Sequence, residues 1–238
     1  MEIAVQEEYK GSKNIHRVSD FKGGYDPVNG FYLSRQIFEA DFESDLDKLN
    51  LSKLVCNSHY LKHLDDRNTD DIFRIISLKS LDGTNETQSC PPQEEKPDMF
   101  SYTPAYESSP TLKNLCDWFQ CEKARIRIFR QLPGQTVQLH HDFDNERCGF
   151  NDQNLTVRII VNLSDTDSYF QLVNKTCNMT IRMQKGQFMV INTDTVWHAT
   201  RNNDSVHRDT LNMIVKWNDW LRDLTNAKDE FIVERIKI

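Results

Sequence analysis

No stretch of the 238-residue sequence approaches the ~18 consecutive apolar residues that a membrane-spanning helix requires. The amino-terminal segment, Met1 to Gly11, is acidic and lacks the apolar centre of a secretory leader, so a cytoplasmic protein is the expectation. Basic residues are in deficit: 29 Lys and Arg stand against 36 Asp and Glu, a net charge of −7. They are also scattered, which argues against a nucleic-acid partner held through phosphate contacts. The six cysteines (Cys56, Cys90, Cys116, Cys121, Cys148 and Cys177) include no C-x-x-C pair. In a chain of this size without a leader, free thiols are expected rather than a disulfide framework. Internal repeats are missing, as is any appended repeat or protein-binding module. That tilts the expected partner towards a small molecule.

What remains is ordinary for a folded soluble protein, with 27% charged and 38% hydrophobic residues. The length suits one domain with a substantial core. Residues 1–110 read as a lead-in, helices and a proline-rich loop packed on a core formed by 111–238. The first 30 residues are polar and glycine-dotted. Glu43 to Val55 carries Leu46, Leu49, Leu51 and Leu54 at helical spacing. Ile72 to Leu78 is a short apolar run that predicts a strand. Residues 82–110 hold five of the seven prolines, a long connection that reads either as a lid or as an exposed link. Pro110 introduces a helix over Thr111 to Phe119.

From there the period changes to two. Ala124–Arg130, Thr136–Asp142, Thr156–Leu163, Ser168–Val173, Cys177–Met183, Gln187–Ile191, Val196–Arg201 and Leu211–Trp217 all read as strands. Pro133-Gly134, Lys185-Gly186 and Asn202-Asn203-Asp204-Ser205 are turns. Short strands at this spacing predict an antiparallel sandwich or small barrel. Phe231 to Ile238 alternates again, as an edge strand or as part of a homodimer contact.

The chemistry concentrates in Gln138-Leu139-His140-His141-Asp142, with His198 and Arg208 further on. Residues i and i+2 of a strand share a face, so His140 and Asp142 converge while His141 turns away. His198 would complete two imidazoles and one carboxylate, a facial set that leaves positions open and suits non-heme Fe(II). Arg208, ten residues after His198, would supply a cationic fork for a carboxylate cosubstrate. Gln138, two residues before His140, would share the inward face and touch substrate.

Together with Ser109-Pro110-Thr111, Ala124-Arg125-Ile126-Arg127, Leu132-Pro133-Gly134, Val157-Arg158-Ile159 and His198-Ala199-Thr200-Arg201-Asn202, these residues resemble the Fe(II)/2-oxoglutarate-dependent dioxygenases. Within them the chain is most similar to the aspartyl/asparaginyl β-hydroxylase-like group, which includes small amino-acid hydroxylases. The resemblance runs from about Ser109 to Trp217. It implies a double-stranded β-helix, a jelly roll of the cupin type, with helices packed on one sheet. It also implies Fe(II) on His140, Asp142 and His198, with 2-oxoglutarate clamped by Arg208 and O2 as oxidant. Arg158 resembles the family arginine that helps hold a cosubstrate or substrate carboxylate. Here the chain departs from many relatives, which carry a histidine where Ile160 stands. Retention of Asp142 favours hydroxylation over halogenation, because the carboxylate fills the position a halide would need.

Bland readings stand beside these. Asn202 matches a family asparagine near the distal histidine, which makes it a candidate substrate contact, or is a turn residue. Arg127 would face the cavity, with Arg125 and Arg130 solvated. Trp197 lies on the opposite face to His198 and reads as core. Three functions follow: hydroxylation of a C–H bond in an amino acid or derivative, hydroxylation of Asp or Asn side chains in a peptide, or a non-oxygenase metal cupin acting as a binding module or isomerase.

Overall fold

Alternation decides which way each strand faces, and two apolar clusters record it. The structure, a computed structural model, describes residues 30–49, 51, 73–85, 97–142, 155–174, 178–226 and 234–238. Its strands are β1 (Phe31–Glu39), β2 (Phe73–Ser80), β3 (Ser101–Tyr102), β4 (Lys123–Gln131), β5 (Thr136–His140), β6 (Thr156–Asn162), β7 (Ser168–Val173), β8 (Asn178–Ile181), β9 (Gln187–Ile191), β10 (Trp197–Asn202), β11 (Arg208–Lys216) and β12 (Glu234–Lys237). An eight-stranded sheet runs β12-β1-β9-β6-β11-β4-β2-β3, and a four-stranded sheet runs β5-β10-β7-β8. Strands β4 to β11 divide between the two sheets so that β9-β6-β11-β4 faces β5-β10-β7-β8. That order is the double-stranded β-helix, a jelly roll.

On β6, Val157, Ile159 and Val161 pack towards the helices, while Ile160 packs between the sheets. Arg158 shares the face of Ile160 and therefore looks into the space between the sheets. The same parity sets Ile126 and Ile128 of β4 and Leu211 and Met213 of β11 towards the helices. Arg127, Gln131, Arg208 and Asn212 consequently fall on the inner face. The cluster between the sheets includes Phe31, Leu33, Ile160, Phe170, Leu172, Met189 and Ile191.

Helices α1 (Phe42–Lys48), α2 (Pro104–Glu107), α3 (Pro110–Trp118) and α4 (Asp219–Asn226) carry the apolar residues that cover the outer face of the large sheet. The buried Asp45 of α1 accepts from the Thr111 and Leu112 amides at 2.8 and 3.0 Å. It thereby caps α3, whose own N-cap Ser109 makes no side-chain bond. Phe38, Trp118, Phe119, Phe188 and Trp220 interlock edge to face above the sheet.

Gly186 makes the turn before β9 at φ +80°, and a Cβ there would lie 2.0 Å from the Phe38 carbonyl oxygen. The approach is fixed by the Phe38 amide donating to the Gly186 carbonyl at 3.0 Å. Gly186→Ala should cost at least about 3 kcal/mol, combining left-handed strain with a backbone clash. Urea denaturation midpoints check this, and an unchanged midpoint would mean the turn relaxes freely.

Several expectations are revised. Of the helix expected over Glu43 to Val55, the structure shows α1, which ends at Lys48, and residues 50 and 52–55 lie outside the described set. Residues 1–29 and 86–96 also lie outside it, so the lead-in and the centre of the proline-rich connection are not described. The rest of that connection is packed rather than structureless: a 3-10 turn (Pro97–Met99), β3 and α2 bury Phe100, Ala105 and Tyr106. The alternation near the end is β12, an edge strand parallel to β1. Among the described residues no helix is long and apolar enough to cross a membrane. Cys116 and Cys121 are free and buried, and the other four cysteines lie outside the described residues.

Candidate metal centre and carboxylate clamp

Antiparallel pairing of β5 with β10 places His140 directly opposite His198, and their ring centroids lie 4.3 Å apart. Asp142 follows the end of β5, anchored by its amide donating to the Thr193 carbonyl at 2.9 Å. Ligand atoms of His140, Asp142 and His198 all lie within 4.8 Å of one another. The Nδ1–H of His140 donates to the Gln138 carbonyl at 2.8 Å, and that of His198 to the Val196 carbonyl at 3.3 Å. Each ring is thereby fixed with its Nε2 lone pair towards the carboxylate. Those Nε2 atoms sit 3.9 and 3.4 Å from Asp142 Oδ1 and Oδ2.

The electrostatics suit a cation. Burial pushes the His140 pKa down, and the neighbouring His198 adds to it. The ring is therefore neutral at pH 7, as a ligand must be. Burial alone would push the Asp142 carboxyl up, but Arg158, His198 and His140 outweigh it and hold the group well below the usual carboxylate range. Arg158 Nη1 lies 2.7 Å from Asp142 Oδ2, yet that buried oxygen accepts no aligned hydrogen bond. Two imidazoles and a carboxylate whose Oδ2 accepts no aligned hydrogen bond fit a divalent metal of the Fe(II) type.

Arg208 opens β11 on the same inner face and is 3% exposed. Its Cζ stacks 4.1 Å from the Phe170 ring centroid. Its Nη1 donates to Gln131 Oε1 at 3.3 Å, a long bond, and its Nε is buried with no hydrogen-bond partner. Among the described residues no carboxylate pairs with it. Its neighbour Asp209 is committed to Arg130 through two 2.8 Å bonds on the opposite face. Burial pushes the Arg208 pKa down to about 9, against the pull of Asp209. A guanidinium this buried calls for an anion. Thr200 links the two halves of the site. It lies two residues beyond His198 on the same face of β10, roughly 6.6 Å at the rise of a strand, and its hydroxyl donates to the same Gln131 oxygen at 3.4 Å.

Other expected residues fall as follows. Asp142 and Arg158 come together with the histidines. Arg127 of β4 is half-buried on the inner face, in register with Asn212 and Ser77. Gln138 does not share the face of His140. His140 pairs with His198 but Val137 pairs with Thr200, so Gln138 and Leu139 together oppose Ala199 in a bulge. The extra residue rephases the strand, and both side chains are exposed. Asn202 is fully buried, and its amide is spent on the turn. Its Nδ2 donates to the Gln131 and Val206 carbonyls at 3.2 and 2.8 Å, and its Oδ1 accepts from the Asp204 amide at 3.1 Å. Arg125 and Arg130 are buried rather than solvated. Trp197 is not core but 45% exposed, edge-on to His141 at 4.6 Å. Gln131 and Phe170 carried no signal in the sequence, and Thr200 stood in the motif after His198 without a role of its own, because their contacts come only from strands brought together in space.

No family model matches the chain, and no curated protein matches it. Among solved structures, it is similar to an oxidoreductase of the 2OG-Fe(II) oxygenase family from Burkholderia pseudomallei, at 15% identity over 74% of this chain and 79% of that one, with a TM-score of 0.43. A cupin domain from Bordetella pertussis is 13% identical over 39% of this chain and 81% of that one, with a TM-score of 0.28. A predicted oxalate decarboxylase from Thermotoga maritima is 12% identical over 44% and 73%, with a TM-score of 0.29.

Proposed function

We propose that this chain is an Fe(II)- and 2-oxoglutarate-dependent oxygenase that hydroxylates an unactivated C–H bond of a small molecule, an amino acid or derivative. The observation that carries the reading is Arg208. It is a buried guanidinium with an unpartnered Nε, and Thr200, two residues along one strand face from the metal ligand His198, touches the amide that holds it. A short dicarboxylate that reaches from the metal site to the guanidinium would supply the anion this buried charge calls for.

His140 and His198 would offer neutral Nε2 donors, and Asp142 an ionised oxygen, leaving the remaining positions for cosubstrate and oxygen. Iron bound there would supply the oxidising chemistry, in which 2-oxoglutarate is decarboxylated to succinate and one oxygen atom enters the substrate. Arg208 would grip the distal carboxylate through a planar fork. Arg158, already beside Asp142, would hold that ligand in place and offer its positive charge to a carboxylate of cosubstrate or substrate. Ile160, Phe170, Leu172 and Met189 line the space between the sheets and keep water from it.

Two measurements test this. Anaerobic addition of 2-oxoglutarate to the Fe(II)-loaded protein should produce a metal-to-ligand charge-transfer band. In air, succinate should form and should increase when the right free amino acid is supplied. Absence of both the band and succinate would sink the oxygenase reading.

A further inference from the structure

Resting on the cosubstrate reading above, we propose that Gln131 is the positioning residue for the Arg208 guanidinium, and that its uncharged amide keeps that positive charge available to the cosubstrate's distal carboxylate. Gln131 ends β4 directly opposite Arg208 in the sheet register and is 2% exposed. Its Nε2 donates to the Gln135 carbonyl at 2.9 Å and approaches the Thr200 carbonyl at 3.5 Å. With two carbonyls on its nitrogen side, the amide has one orientation, and Oε1 must face Arg208 Nη1 and the Thr200 hydroxyl.

The frame around it is backbone. The Gln135 carbonyl also takes the Asn202 amide at 3.0 Å. Asn202 Nδ2 in turn grips the Gln131 and Val206 carbonyls, which fixes the turn from which β11 starts. Arg208 is thus supported on one face by the Phe170 ring and at one end by Gln131, with Nε left for a ligand. A carboxylate at position 131 would do what the amide does not. It would pair with the guanidinium in a buried setting and compete with the cosubstrate for it.

The test uses the full chain loaded with Mn(II), so that 2-oxoglutarate binds without turnover, and measures its affinity by calorimetry. Kinetics of the Fe(II) protein follow. Gln131→Glu should weaken 2-oxoglutarate binding roughly 10- to 100-fold, the scale of one charge-assisted contact. Gln131→Met keeps the length without polar atoms and should weaken it by only about 2- to 10-fold, seen in KM with kcat retained. Mn(II) affinity should stay at its wild-type value in both, and any fall in Tm from the lost Gln135 contact should not track the loss of 2-oxoglutarate affinity. If both variants bind 2-oxoglutarate like wild type while Arg208→Lys is impaired, the positioning role is overturned. It is equally overturned if affinity falls only in step with Tm or Mn(II) affinity, since Gln131 would then serve the fold. If Arg208→Lys also binds like wild type, the cosubstrate reading itself fails.

Discussion

Asp142→Gly should abolish hydroxylation and weaken divalent-metal affinity by at least roughly 100-fold, the upper end of what losing a mere supporting group costs at a metal site. Two effects add. One of three ligands disappears, leaving His140 and His198 as a two-imidazole site. The carboxylate is also the negative group against which Arg158 rests at 2.7 Å. Without it, that guanidinium stands beside the vacated position and repels an incoming cation. His198→Ala removes a ligand but leaves Asp142 in place to offset Arg158, so its loss of affinity should be the smaller of the two. The strands themselves should persist, because the apolar clusters that hold them do not include the three ligands. Metal affinity by Mn(II) titration, hydroxylation by succinate release and fold by circular dichroism separate these effects. Full hydroxylation in Asp142→Gly would show that Asp142 serves only to hold Arg158 and His198.

Where strand alternation was unbroken, sequence was enough. The period-two runs over 156–163 and 187–191 became β6 and β9 almost residue for residue. The convergence of His140, Asp142 and His198 followed from the same rule and from ligand chemistry. Gln138 was misplaced because one extra residue in β5 reverses the phase, and a bulge has no composition of its own. The first strand, Phe31–Glu39, went unread for a similar reason, since its register shifts between Leu33 and Ile37. Arg130 looked solvated because its partner Asp209 is 79 residues away in sequence. Long-range pairing of this kind decides whether a charge on a strand is exposed or neutralised, and local pattern does not carry it. The surroundings of Arg208 show the same limit. Its spacing from His198 singled it out in the sequence, but its burial and the Phe170 face and Gln131 edge beside it were not legible there.

Arg208→Lys should raise the KM for 2-oxoglutarate roughly 10- to 100-fold while leaving metal affinity unchanged. A guanidinium sits over the Phe170 ring, reaches Gln131 through Nη1 and still presents Nε. An ammonium is a point charge on a flexible stem, so it cannot keep both supports and also offer two parallel bonds to a carboxylate. The loss corresponds to about 1.5–3 kcal/mol for one charge-assisted bond. It should appear mainly in KM, because the clamp grips the end of the cosubstrate that does not react and so contributes equally to ground and transition states. KM for 2-oxoglutarate in both proteins, with Mn(II) titrated separately in its absence, makes the comparison. An unchanged KM would place Arg208 outside the cosubstrate pocket. Its buried, unpartnered Nε would then call for a different anion.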